Sequence, residues 1–119
     1  MAIRILSDYP APPGNKRHVI CDIDGPTSYT AITTGTPPTG GQVIRASDIG
    51  LQNIEWAQCS GSDNGQYDGT CYVVGGLGNP AKAGGTQINL QWLTAATGAE
   101  AAGAANLSTR SLRLIAIGL

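Results

Sequence analysis

The sequence predicts an all-β chain folded as an antiparallel β-sandwich, and three observations carry that prediction. Short runs of alternating apolar and polar residues recur along the chain, separated by clusters of Gly, Pro, Asn, Asp and Thr. Side chains of a strand alternate with period two, so such runs describe sheets with one dry face and one wet face. Charged residues make up only 13% of the 119 residues, which argues against long solvated helices rich in Glu and Lys. The runs also come at the spacing of strands joined by turns, about eight in all, the pattern of a sandwich or barrel. Neither an internal repeat nor a domain boundary interrupts it. The chain reads as one domain, 1–119, large enough to bury a core without metals or disulfides.

The elements follow in order. Residues 2–8 read as a strand, which Tyr9-Pro10-Ala11-Pro12-Pro13-Gly14-Asn15 ends, because proline fixes φ and removes a ladder donor. Residues 16–24 form the second strand, with Val19, Cys21 and Ile23 on one face and His18, Asp22 and Asp24 on the other. Ile20 interrupts that outer polarity, so the second face is expected to be partly covered. Residues 28–34 are rich in β-branched residues and read as a strand, 35–41 as a loop and 42–46 as a short strand. Ser47-Asp48-Ile49-Gly50 resembles a tight turn or one helical turn. Residues 51–59 place Ile54 and Trp56 together on the apolar side, 60–69 make a polar tip, and 70–74 return from it. Residues 75–85 form a Gly-rich connection.

The clearest strand is Thr86 through Leu93, with Ile88, Leu90 and Trp92 on the dry face and Gln87, Asn89 and Gln91 on the wet one. The alanines of 94–109 invite a helix, but Gly98 and Gly103 each cost about 1 kcal/mol in a helix interior, so a loop is expected there. Residues 111–118 are apolar on both sides, which marks a central or covered strand. The expected core is Val19, Cys21, Ile54, Trp56, Ile88, Leu90, Trp92 and Leu114.

Several function classes recede on the same evidence. A net charge of −1 lacks the basic footprint of a nucleic-acid binder. No stretch is long and apolar enough to span a membrane, and residues 1–6 lack the segments of a signal peptide, so synthesis in a cytoplasm is expected. The odd count of three cysteines suits a reducing compartment. Cys59 and Cys71 could face each other across the hairpin tip, but buried thiols serving as small hydrophobes are the favoured reading.

Motifs that mimic chemistry have plainer explanations. Asp22-Ile23-Asp24-Gly25 matches the Asp-x-Asp-Gly signature of haloacid-dehalogenase-type phosphatases, but that chemistry needs a parallel strand in an α/β fold. Two outward carboxylates before a Gly-Pro turn are an ordinary strand exit. The Gly75-Gly76-Leu77-Gly78-Asn79-Pro80 run resembles a phosphate-cradling loop without the helix N-terminus it requires. Asp63 through Gly69 offers oxygens at calcium-like spacing but lacks the bidentate Glu, and its Asn-Gly and Asp-Gly pairs read as turn signals. His18 is the sole histidine, so neither a zinc site nor a supported nucleophile–His arrangement is expected, and the chain is read as a non-enzyme without metal or cofactor.

The two ends of the chain carry a resemblance. Ile3-Arg4-Ile5-Leu6-Ser7-Asp8-Tyr9-Pro10 resembles the opening of small virion proteins encoded beside capsid genes in tailed bacteriophages. So does the close, from Gln87 to Leu93, through Thr97-Gly98-Ala99-Glu100-Ala101 and Asn106-Leu107-Ser108, to Arg110 through Gly118. The resemblance covers about half the chain, and the middle, 35–85, carries none of it.

It implies a jelly-roll-like module serving as a head decoration, or cement, protein. Such proteins bind the major capsid protein on the capsid exterior and stiffen the shell. A virion location and self-association as a dimer or trimer follow as expectations. The weakly charged loops and the edge of the first strand are the expected contacts, through Tyr9, Pro10, Pro12, Pro13, Pro37, Pro38, Leu77, Asn79 and Pro80. A carbohydrate-binding or tail-associated β-sandwich is the alternative. Solvent-facing Trp56, Trp92, Tyr67 and Tyr72 would favour sugar, and buried ones would favour cement.

Overall fold

In the computed structural model, residues 3–10, 16–33, 38–61, 66–74 and 85–119 are described. Seven strands run in chain order: β1 (Ile3–Pro10), β2 (Arg17–Asp24), β3 (Gln42–Arg45), β4 (Ile54–Gly61), β5 (Tyr67–Val74), β6 (Gln87–Thr94) and β7 (Ser111–Gly118). They form two antiparallel sheets, a four-stranded one ordered β1-β2-β7-β4 and a three-stranded one ordered β3-β6-β5. A 3-10 turn, Ala46–Ile49, follows β3 and ends at Gly50, whose φ of 79° is the left-handed conformation that glycine adopts without strain.

The strand order is nested. β2 pairs with β7, β3 with β6, and β4 lies beside β5, as in a long hairpin rolled up on itself. That resembles the wrap of a jelly roll, with two nested pairs, β2–β7 and β3–β6, while β4 and β5 touch from the edges of the two sheets and β1 adds an outer edge. The core lies between the sheets. Val19, Cys21, Ile23, Leu112, Leu114, Ala116, Ile54 and Cys59 meet Ile44, Ile88, Leu90 and Trp92 across it. Trp92 is fully buried because its indole has a partner: Nε1 donates to Gln42 Oε1 at 2.8 Å. Gln42 Nε2 in turn donates to the Asp24 carbonyl at 2.7 Å, linking the two sheets at one end.

Four expectations need correction. Residues 28–33 are not a strand, because their backbone groups bond elsewhere. Tyr29 N–H donates to Ala105 O, Ile32 N–H donates to Glu100 Oε2, and only Thr33 makes a single bridge, to Thr39. Among the described residues the strand count is therefore seven. β1 runs on through Pro10, opposite Arg17, which an edge strand tolerates since its outer row of donors is unpaired. Trp56 is 46% exposed and leaves the core, because the register on β7 shifts between Ile54 and Trp56. The extra residue turns Trp56 outward while Ile54 stays buried. Asn89, expected on a wet face, is buried and donates to the Gly40 carbonyl at 2.8 Å, because the segment leading into β3 covers the outer side of β6.

β4 starts at Ile54 rather than at 51 and runs to Gly61, and β5 starts at Tyr67 rather than at 70, so both enter the expected polar tip. Residues 75–84 of the expected Gly-rich connection lie outside the described residues. β7 is central in its sheet, Ala46–Ile49 is a single helical turn, and 94–109 contains turns without a helix.

Candidate interaction surface

The outer face of the four-stranded sheet is organised in rows across β1, β2, β7 and β4. Register places Tyr9, His18, Ile117 and Trp56 in one row, then Ser7, Ile20, Ile115 and Gln58, then Arg4, Asp22, Arg113 and Ser60. The first two rows are largely apolar and aromatic. Tyr9, Trp56 and Ile115 are exposed, and His18, Ile20 and Ile117 are half-buried. Tyr9 and His18 meet edge-to-face with centroids 5.0 Å apart, and the Tyr9 hydroxyl and His18 Nδ1 share a hydrogen bond of 3.0 Å. An aromatic thus stands at each edge of the sheet.

The charges around this surface are satisfied within the chain. Arg113 forks onto Asp22 through Nε at 2.9 Å and Nη2 at 3.1 Å. Arg4 bonds Asp24, Arg17 bonds Asp8, and Lys16 bonds Glu55. The guanidinium hydrogen bonds hold the Asp22 carboxyl below its ordinary value, against a smaller opposing effect of desolvation. The Asp22–Asp24 motif is thus occupied by two arginines on an antiparallel strand. Beyond Asp24 the surface dips into a shallow, open depression lined by Gly25, Pro26, Thr27, Gln42, Val43 and Ser108.

The contact residues expected from the sequence are dispersed. Tyr9 and Pro10 lie at the end of the sheet where β2 begins. Pro38 precedes the Thr39 bridge and the turn into β3, near the opposite end of β2, since Gln42 bonds the Asp24 carbonyl. Pro12, Pro13, Pro37, Leu77, Asn79 and Pro80 lie outside the described residues. So do Asp63, Asn64 and Gly65 of the calcium-like tip. Its described Asp68 and Gly69 lie in β5, so that Asp-Gly pair is not a turn, and Asp68 accepts the Gly61 N–H at 2.9 Å, tying β5 to the end of β4.

The aromatics divide. Trp92 is buried, Tyr67 is half-buried against it at 5.8 Å, Tyr72 is half-buried, and Trp56 faces solvent.

All three cysteines are free and converge on the core. The Cys59 thiol is hydrogen-bonded to Cys71 and desolvated, and both effects push its titration up. Burial, with help from Asp22 and Cys71, raises Cys21 to about 11. Among the described residues, no group of three or more His, Cys, Asp and Glu is arranged to hold a metal ion. Nor is any described helix long and apolar enough to cross a membrane.

The sequence signalled this surface only through Ile20 and the two-sided apolarity of 111–118. Trp56 was hidden by the register shift. No protein-family model, curated protein or solved structure matches the chain.

Proposed function

We propose that this chain is a structural protein of a tailed-bacteriophage virion, a decoration protein that binds the major capsid protein on the outside of the head and stabilises it. The observation that carries the reading is the outer sheet face, where apolar and aromatic rows lie exposed while the neighbouring ionic groups are paired in-chain. Such a surface suits contact with another packed protein surface, in which aromatic anchors supply most of the binding energy. The resemblance of residues 3–10 and 87–118 to small virion proteins supports the same class.

The test is co-sedimentation of the purified protein with empty heads assembled from the major capsid protein of the phage that carries its gene. Saturable binding and a higher disruption temperature of the heads are expected. No binding at any salt concentration rejects the proposal.

One observation favours a second reading. Trp56 faces solvent with Gln58 as a polar neighbour on the same strand face, which suits stacking on a neutral sugar. Quenching or blue-shift of Trp56 fluorescence by neutral oligosaccharides, without binding to heads, would select it.

A further inference from the structure

The rows of the outer face are self-complementary, and we infer that this face packs against a second copy of itself in a two-fold dimer whose axis runs parallel to the strands. The inference rests on the reading that the chain works through protein contact at this surface, and it names a second copy as the occupant, which leaves the ends of the sandwich for the head. A two-fold axis lying between two such faces and along the strands reverses strand order but keeps each row at its own level. β1 then lies over the partner's β4, and β2 lies over the partner's β7.

The consequences can be read row by row from the register. Ile20 meets the partner's Ile115, and Ile115 meets the partner's Ile20. Trp56 covers the partner's Tyr9, and Ile117 covers the partner's His18. In the ionic row Asp22 faces the partner's Arg113, and Arg113 faces the partner's Asp22. Arg4 faces the partner's Ser60, so no like charges oppose each other. A two-fold axis across the strands would instead lay the aromatic row on the ionic row, so the side chains select the first arrangement. A dimer of this kind is isologous, with each contact made twice.

Charge and size agree. The face and its margins carry four ion pairs, which leave no net charge to repel a like copy or recruit a charged partner. Four strands about 4.8 Å apart and about 27 Å long present roughly 500 Å² in projection, more when followed over the side chains. That approaches the ~800 Å² per partner of an ordinary specific interface. Sheets pack face to face about 10 Å apart with strands nearly aligned, a geometry this axis permits. The ends of the sandwich stay free, so the dimer would offer two copies of them to a lattice and bind with avidity.

The experiment is sedimentation of the isolated protein, without heads. The wild-type chain is expected at twice its 12.2 kDa mass. I115K places a charge at an exposed central position, 37% accessible in the single chain, and should give a folded monomer by circular dichroism. D22R and R113D should each weaken the dimer at least tenfold, through like charges across the axis. Mixing the two variants should restore a dimer of one chain of each kind. At positions 22 and 113 one chain then carries two arginines and the other two aspartates, so each of these arginines faces an aspartate across the axis while Arg4 still faces Ser60. A merely structural role of the Asp22–Arg113 pair predicts no such rescue. A wild-type monomer at up to about 100 µM, well above the micromolar range of modest specific complexes, overturns the inference, as does failure of the mixture to dimerise. A dimer that binds no heads leaves this inference standing and removes the capsid reading. A monomer that binds heads through Trp56 assigns the face to the capsid protein and overturns this inference alone.

Discussion

The Tyr29 hydroxyl donates to Glu100 Oε2 at 2.8 Å and accepts the Trp92 N–H at 3.1 Å, so one side chain ties two long connections to β6. Desolvation makes this phenol harder to ionise, which keeps the proton it donates. Tyr29→Phe leaves the Trp92 N–H without its acceptor in a buried place. It should lower stability by about 1–3 kcal/mol, read as a shift in urea midpoint. Desolvation pushes Glu100 up, but it is outweighed by hydrogen bonds from the Ile32 N–H, Tyr29 and Gln91, so the carboxyl ends below its ordinary 4.5. Asp22 also lies below its ordinary value, 3.8, under Arg113. A depressed carboxyl stabilises the fold fully above its unfolded pKa. That contribution fades as pH falls through the folded value. Urea midpoints should therefore fall as pH drops below about 4.5, and Glu100→Gln should flatten part of that slope. A midpoint independent of pH between about 5 and 3 would contradict the assignment.

At the scale of the element, the two tryptophans show what periodicity can and cannot reveal. On β6 an uninterrupted alternation placed Ile88, Leu90 and Trp92 inward, and all three are fully buried. On β4 the same alternation placed Trp56 beside Ile54, and a single register shift reversed it. Such a shift depends on how β7 pairs with β4, information carried by distant residues and absent from the local pattern. The surface went unread for that reason. The strand expected over 28–34 failed on similar grounds, since Glu100 and Ala105 supply partners that local propensity does not announce. Sequence alone did mark the outward carboxylates of β2 and the central place of β7. Trp92→Ala should cost about 3–5 kcal/mol in urea denaturation. Trp56→Ala, compared in the I115K background to remove self-association, should cost less than about 1 kcal/mol. Similar costs for the two would mean that Trp56 is core after all.

For the molecule as a whole, nesting governs how the fold assembles. β2 and β7 pair His18 with Ile117, and β3 and β6 pair Ile44 with Ile88, so the sheets close only through contacts remote in sequence. Folds dominated by such contacts form in milliseconds to seconds, because loop closure must precede the stabilising contacts. Stopped-flow refolding followed by Trp92 fluorescence should fall in that range, and complete recovery within microseconds would argue against the nested pairing.

The inner position of β7 also bears on how the protein is made. Gly118 sits against Asn53, and Leu119 exchanges backbone hydrogen bonds with Asn53, so even these residues are built into the sheet they complete. On the ribosome β2 emerges about 100 residues before its partner, an interval of roughly 5–20 s at ordinary synthesis rates. Throughout that time one edge of β2 lacks its strand partner, and Val19, Cys21 and Ile23 lack their neighbours Ala116, Leu114 and Leu112. The nascent chain is thus a natural client for chaperones that hold exposed apolar strands. A message cut short before residue 111 would yield a polypeptide lacking the strand between β2 and β4.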